Sequence, residues 1–325
     1  MQKLIVILGP TASGKSDLAV KLAQKHNGEI ISADSRQVYK GLDIGTGKIT
    51  KKEMKGVKHH LIDVSDPRKR FTASDFMHLT NYAIAEIVKS GKLPIVCGGT
   101  GFYIDALLGD KQIPEVPPNP KLRAKLEKKT TRELFEILKK LDPERAETIE
   151  KQNPRRLIRA IEICEAIGKV PKFKSRSMNY EVCKIGIAPI TPSPTPSSYN
   201  KRKGLRKPSL VVREGGVSYF FDENKLKARI NKRIEKWFKM GLLKEVQNLH
   251  KKGLSWKRMA EIGLEYKIVS LFLQNKISKP EMIRRMQIET YQYAKRQMTW
   301  FKKDKSIIWL PPRIGLVEKE ARKFL

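Results

Sequence analysis

The sequence predicts an α/β protein, a parallel sheet flanked by helices with an inserted all-helical lobe. Three observations carry that expectation. Short apolar runs alternate with helix-period segments over the first hundred residues. A proline-rich break follows near residue 113. Beyond it the chain turns charged and helix-periodic.

Lys3 to Leu8 is a short, mostly apolar run, the pattern of a strand buried on both faces. Gly9 to Gly14 is a glycine-bearing turn, and Ser16 to His26 reads as a helix with Leu18, Leu22 and Ala23 on one stripe. Glu29 to Ser32 is the second expected strand, followed by the polar cluster Ala33 to Gln37. His60 to Val64 is a candidate third strand, Ala73 to Ser90 is helical by period, and Leu93 to Cys97 is another buried strand. The stretch Ile113 to Pro120, with prolines at 114, 117, 118 and 120, cannot continue a helix and reads as a linker. Lys121 to Ile167 is helix-periodic with a break at Asn153-Pro154, and Lys184 to Ala188 reads as a strand returning to the sheet. Thr191 to Pro208, rich in Pro, Ser, Lys and Arg, is expected to be a mobile loop. Lys225 to Leu249 and Lys279 to Phe301 are long helical patterns with basic polar sides. The expected organisation is therefore a core of 1–110 and 184–325, a helical lobe of 111–183, and a loop at 191–208. No internal repeat is evident.

Lys and Arg number 67 against 34 acidic residues, a formal net charge of +33 over 325 residues. Such an excess points to a polyanionic partner, nucleic acid or an acidic membrane face, although a solvated lysine-rich surface also accounts for part of it. No apolar run reaches the ~18 residues that span a bilayer. Met1 to Leu8 runs directly into a strand without a signal-peptide layout, so a cytoplasmic location is expected. Cys97, Cys164 and Cys183 are scattered without paired spacing, which suits a reducing compartment and argues against structural zinc.

Gly9-Pro10-Thr11-Ala12-Ser13-Gly14-Lys15-Ser16 fits G-x-x-x-x-G-K-[ST] between an expected strand and helix. The glycines let the backbone turn its N–H groups inward, and the following helix N-terminus adds to their pull on phosphate oxygens. Lys15 supplies a cation, and the Ser16 hydroxyl is placed to hold Mg²⁺. A diphosphate-like group is thereby predicted to bind; hydrolysis is not. Asp34, beyond the second strand, should face the same crevice. It could accept a proton from an attacking amine, hold the metal through water, or simply cap a turn. Gly98-Gly99-Thr100-Gly101-Phe102-Tyr103 leaves the strand ending at Cys97 at the same sheet edge. There Thr100 would bond a substrate or leaving group, or the glycines merely let the strand turn into a helix.

The phosphate motif, Asp34-Ser35-Arg36-Gln37-Val38-Tyr39, the segment 98–103 and Asn153-Pro154-Arg155-Arg156 occur in that order. Together they resemble the tRNA dimethylallyltransferases, also called tRNA isopentenyltransferases. Tyr293-Ala294-Lys295-Arg296-Gln297-Met298-Thr299-Trp300-Phe301 is similar to that family's C-terminal motif. The resemblance covers nearly the whole chain. It implies a P-loop NTPase-like core with an inserted helical lobe, and prenyl transfer from dimethylallyl diphosphate to the exocyclic N6 of an adenosine in the anticodon loop. It implies that residues 11–16 bind the donor diphosphate, that Asp34 is the general base, and that Thr100 lines the channel where donor and flipped base meet. It implies tRNA contacts from Asp34, Ser35, Arg36, Gln37 and Arg123, and from Arg155, Arg156, Leu157, Ile158 and Arg159. Arg229 and Arg233 resemble arginines near the diphosphate, or else belong to a solvated helix face. Partners so implied are tRNA, dimethylallyl diphosphate and Mg²⁺, acting on a monomer.

Two departures stand out. The 191–208 stretch, with Lys201, Arg202, Lys203, Arg206 and Lys207, has no counterpart in that pattern. Ile262-Gly263-Leu264-Glu265-Tyr266 follows it only loosely. The competing readings are an ATP-dependent small-molecule or nucleoside kinase, a prenyltransferase acting on free adenine nucleotides, and a non-catalytic RNA-binding P-loop protein. The kinase reading leaves the basic C-terminal helices unexplained.

Overall fold

A computed structural model of the chain describes residues 1–109, 114–171, 180–192, 211–214 and 217–325. It divides into two units, Met1–Leu108 with Met178–Leu325, and Gly109–Ser177.

The first unit is built on a six-stranded parallel sheet. Its strands are β1 (Gln2–Leu8), β2 (Gly28–Ala33), β3 (His59–His60), β4 (Leu93–Gly98), β5 (Tyr180–Ile187) and a late strand, Ile308–Leu310, in the order β3-β2-β4-β1-β5 and then 308–310. Residues alternate across the sheet, so β1 feeds two cores. Leu4, Val6 and Leu8 pack on one face with Phe76, Ile84 and Ile87 of a helix at Ala73–Lys89 (α3) and with the C-terminal helices. Ile5 and Ile7 pack on the other with Leu18, Ala19 and Leu22 of α1 (Lys15–Lys25) and with Val317 and Ala321 near the C-terminus. Burial of both faces explains the unbroken apolar runs.

Most expected elements fall within a residue or two of their observed bounds. The exceptions have local causes. The third strand ends at His60, because Leu61 and Asp63 take positive φ of 62° and 57° and turn the chain away. The strand expected from Lys184 begins at Tyr180, so 180–183 pair with Gln2–Ile5 and belong to the sheet, outside the helical unit. The helix expected over Lys225 to Leu249 is two helices, Glu223–Met240 and Leu242–Lys251, separated by Gly241 at φ 96°. A small antiparallel sheet of Ile190–Pro192, Val211–Glu214 and Val217–Phe221 takes the first two residues of the expected loop; 193–208, with its five basic residues, lies outside the described residues. The helix expected at Lys279 to Phe301 has those bounds.

The second unit is helical. Its helices at Pro120–Leu126, Thr131–Leu141, Pro143–Thr148 and Pro154–Ile167 are capped by Asn119, Thr130, Asp142 and Asn153, each side chain accepting the backbone N–H three residues on. Leu126, Leu134, Leu138, Leu157 and Ile161 form their common core. Among the described residues, no helix is long and apolar enough to cross a membrane.

Candidate active site

Three loops leave the C-terminal ends of neighbouring strands in the spatial order β2, β4, β1. They carry Asp34, Thr100 and the residues 9–16. Two strand spacings, about 10 Å, therefore separate the exits of β2 and β1, with the Thr100 loop between them.

The loop after β1 turns sharply. Gly9 has φ 150°, and a Cβ there would lie 2.2 Å from the Ile187 carbonyl oxygen, so only glycine fits. Ala12 and Gly14 also take positive φ, of 60° and 93°. Lys15 opens α1 and folds back, donating to the Pro10 carbonyl at 3.2 Å. Burial lowers the pKa of Lys15; Cys97 opposes this, Arg233 adds to it, and Asp34 opposes it. Ser16 is exposed in the first turn of α1, near the Cys97 thiol. Burial pushes that thiol up to about 11, against the pull of Lys15 and Ser16.

Two arginines of the helix Glu223–Met240 reach this loop. Arg229 donates to the Ser13 carbonyl at 3.1 Å, and Arg233 donates to the Thr11 hydroxyl at 2.8 Å. They lie one helical turn apart on the half-buried side of the helix, not on its solvated face. Burial lowers the pKa of Arg233, while Glu265, Asp34 and Glu53 oppose that shift. Lys15 and Arg233 are thus cations held where burial disfavours charge, an arrangement that a bound anion relieves.

Asp34 closes a tight turn, its Oδ1 accepting the backbone N–H of Arg36 at 2.8 Å and of Gln37 at 3.4 Å. Among the described residues no hydrogen bond goes to Oδ2. Thr100 joins this turn to its own loop: its hydroxyl accepts the Ser35 N–H at 3.1 Å, and its N–H donates to the Ala33 carbonyl at 3.2 Å. Gln37 continues the chain of contacts to the Gly47 carbonyl at 3.3 Å. The Asp34 carboxylate favours the protonated form of Lys15, and the two loops leave the same edge of the sheet.

The sequence did not single out Glu265 as a site residue. It sits in the first turn of a helix at Leu264–Leu273 and faces Arg36, Asp34 and Arg233. Burial pushes its carboxyl up to about 7; its own backbone N–H, Arg36 and Arg233 oppose, while Asp34 adds. Tyr293 joins the same group, its phenol raised by burial and by Asp34. The next residue, Tyr266, donates to Glu245 at 2.8 Å, and that carboxylate accepts the backbone N–H groups of Asp43, Ile44 and Gly45 at 2.9, 2.7 and 3.0 Å. The only signal for Glu265 was its place in a segment departing from the family pattern. Gln297 stood within a quoted motif without a role.

In the helical unit, the residues singled out for tRNA separate by environment. Leu157 and Ile158 are 0% and 8% exposed and pack in that unit's core. Arg123 pairs with the buried Glu162 at 2.6 Å, and Arg159 pairs with the same carboxylate and donates to the Val116 carbonyl at 2.8 Å. Arg155 and Arg156 are exposed, Arg156 within 3.2 Å of the equally exposed Glu150.

The family model described as IPP transferase matches residues 37–304. The loop 9–16 and Asp34 precede that span, but fuller matches take them in. A tRNA dimethylallyltransferase of Roseiflexus sp. is 37% identical over 99% of this chain and 97% of its own length. That of Thermoanaerobacter sp. strain X514 is 39% identical over 94% of this chain and 91% of its own length. A solved tRNA isopentenylpyrophosphate transferase of Bacillus halodurans superposes with a TM-score of 0.68 at 31% identity, covering 100% of this chain and 97% of that one. A eukaryotic dimethylallyltransferase described as acting on tRNA gives a TM-score of 0.76 at 26% identity, covering 99% of this chain and 77% of that one.

Proposed function

The chain belongs to the tRNA dimethylallyltransferase family, and from that premise we propose how its residues divide the reaction. It is an enzyme that transfers a dimethylallyl group to tRNA. The finer reading takes dimethylallyl diphosphate as donor and the exocyclic N6 of an adenosine beside the anticodon as acceptor, in a monomeric cytoplasmic enzyme.

The observation that carries this reading is the order of the loops: those bearing Lys15 and Asp34 leave the same edge of the sheet, with the Thr100 loop between them and hydrogen-bonded to the Asp34 turn. The donor's diphosphate lies against the loop of residues 11–16, on those of its amides that the protein leaves free, with Lys15, Arg229 and Arg233 as counter-charges. The adenine amine is a weak nucleophile, because its lone pair is delocalised into the ring. Asp34, through Oδ2, takes its proton as N6 bonds to the allylic carbon; a positioned carboxylate contributes ~10²–10⁴-fold to such a step. The carbon–oxygen bond breaks, and its electron pair leaves on the diphosphate, where the buried cations stabilise the growing charge. Thr100 holds the Asp34 turn at the correct depth for that transfer.

Among the described residues no cluster of three His, Cys, Asp or Glu stands ready to hold a metal. The Ser16 hydroxyl is a single hard oxygen donor, which fits Mg²⁺ that would be held chiefly by diphosphate and water. When bound, Mg²⁺ supplies Lewis-acid stabilisation of the leaving diphosphate.

A base stacked in the anticodon loop must leave its stack to react, at a cost of a few kcal/mol. Phosphate contacts from exposed cations such as Arg155 and Arg156 offset that cost. Incubation with dimethylallyl diphosphate, Mg²⁺ and bulk tRNA, followed by nucleoside mass analysis, should show a five-carbon addition to adenosine. ATP consumption with a phosphorylated product and no such addition would overturn the reading.

A further inference from the structure

Gln297 lies on the helix Lys279–Phe301 and is 7% exposed. Its Oε1 accepts the Thr11 N–H at 2.8 Å, and its Nε2 donates to the Gly99 carbonyl at 2.8 Å. One side-chain amide therefore spans the phosphate loop and the Thr100 loop, and both partners are main-chain atoms. An N–H on one side and a C=O on the other leave the amide a single orientation. We propose that Gln297 is the positioning residue that fixes the gap between the diphosphate cradle and the Thr100–Asp34 side of the crevice. The proposal rests on the prenyl-transfer reading above.

Three features argue that the bridge sets a distance and does more than satisfy two buried groups. The first is what it costs the ligand. Thr11 belongs to the ring of amides that attracts phosphate, and its N–H is already taken by the protein. A loop selected only to grip an anion would leave that donor to the anion. The second is rigidity behind the amide. Ala294, Met298 and Phe301 on the same helix are 0%, 3% and 3% exposed, and Trp300 donates to Asp105 at 3.0 Å on the helix that follows Thr100. A Cβ on Gly101 would lie 2.3 Å from the Trp300 ring, so the two helices are in close contact. The third is continuity. From Gly99 the chain passes to Thr100, whose hydroxyl holds the Ser35 N–H next to Asp34. Donor cradle, strut and base thus form one connected path across about two strand spacings, ~10 Å. Reaction needs the allylic carbon and the amine in near-attack contact, and a misplacement of about 1 Å can cost ~10²-fold.

The test compares single-turnover prenylation of tRNA with binding of inorganic pyrophosphate and of tRNA. Gln297→Met keeps length and loses both hydrogen bonds; Gln297→Glu keeps the acceptor but sets a carboxylate against the Gly99 carbonyl. Each is expected to lower the single-turnover rate by ~10–100-fold while pyrophosphate affinity does not fall and tRNA affinity stays at the wild-type value. Gly99→Ala strains the same strut from the other side, because its Cβ would lie 2.4 Å from Nε2. Gly99→Ala combined with Gln297→Ala should be no slower than Gln297→Ala alone, the non-additivity of two changes in one contact. An unchanged rate, a rate loss matched by lost pyrophosphate affinity or by a lower folded fraction in a thermal melt, or additive losses would each overturn the strut. If Gln297→Met and Gln297→Glu do not fold, Gly99→Ala alone carries the comparison on the same terms. Absence of product from the wild-type enzyme would instead overturn the prenyl-transfer reading, and the strut's premise with it.

Discussion

Arg233 donates to the Thr11 hydroxyl at 2.8 Å across 222 residues of chain, so a helix late in the chain is tied to the glycine-rich loop that follows the first strand. The guanidinium also lies 5.7 Å from the centre of the Trp237 ring, which limits its freedom. Arg233→Ala is expected to weaken pyrophosphate binding by ~10–100-fold, the range for hydrogen bonds to charged groups. Arg233→Lys should recover only part, because an ammonium lacks the planar fork. Calorimetric titration with pyrophosphate checks both; an affinity equal to wild type in Arg233→Ala would remove Arg233 from the cradle.

Asp34→Asn keeps the turn acceptor used by Arg36 and Gln37 but removes the proton acceptor. Its single-turnover rate should fall by ~10²–10⁴-fold, with tRNA affinity preserved. Near-normal turnover would exclude the base role.

Arg156→Ala is expected to weaken tRNA binding at every salt concentration and to reduce the slope of log affinity against log salt by about 1. Filter binding over a salt series measures this. An unaltered slope would take Arg156 out of the interface. Arg123→Ala is expected instead to lower the melting temperature, because it strips a partner from the buried Glu162.

Glu265 should make stability depend on pH. Its folded value, about 7, lies above the ordinary glutamate range. The neutral form is therefore the one the fold accepts. Stability associated with this group is full below the unfolded pKa and is lost as pH rises through about 7. Glu265→Gln, always neutral, should melt above wild type near about pH 8 and level with it near about pH 4. The groups facing it are Asp34, Arg36, Arg233, Tyr266 and Tyr293. A melting difference that does not change with pH would mean Glu265 titrates normally.

Much of the fold was legible because local rules wrote it. Runs such as Leu4 to Leu8 are apolar throughout, since both faces of a parallel sheet are covered, and Asn153-Pro154 marks a helix start by capping chemistry alone. The glycine-lysine motif falls between a strand and a helix for the same reason. Two of the misplaced elements were decided by single backbone angles, at Leu61 and Asp63 and at Gly241, and the third, the strand starting at Tyr180, by its pairing with Gln2–Ile5.

By itself, the sequence determined the sheet-and-lobe architecture, the glycine-rich loop after the first strand and the acid at the end of the second strand. All depend on neighbours within a few residues, and spacing records such neighbours. Only the tertiary structure decided which basic residues reach that loop. Arg229 and Arg233 sit on a helix whose composition resembles that of other lysine-rich helices, and packing alone turns them onto Ser13 and Thr11. It also decided that Gln297 and Glu265 face the loops, and that Leu157 and Ile158 are core. Side-chain partners hundreds of residues apart are set by the sheet order and the docking of helices, and no local pattern encodes that distance.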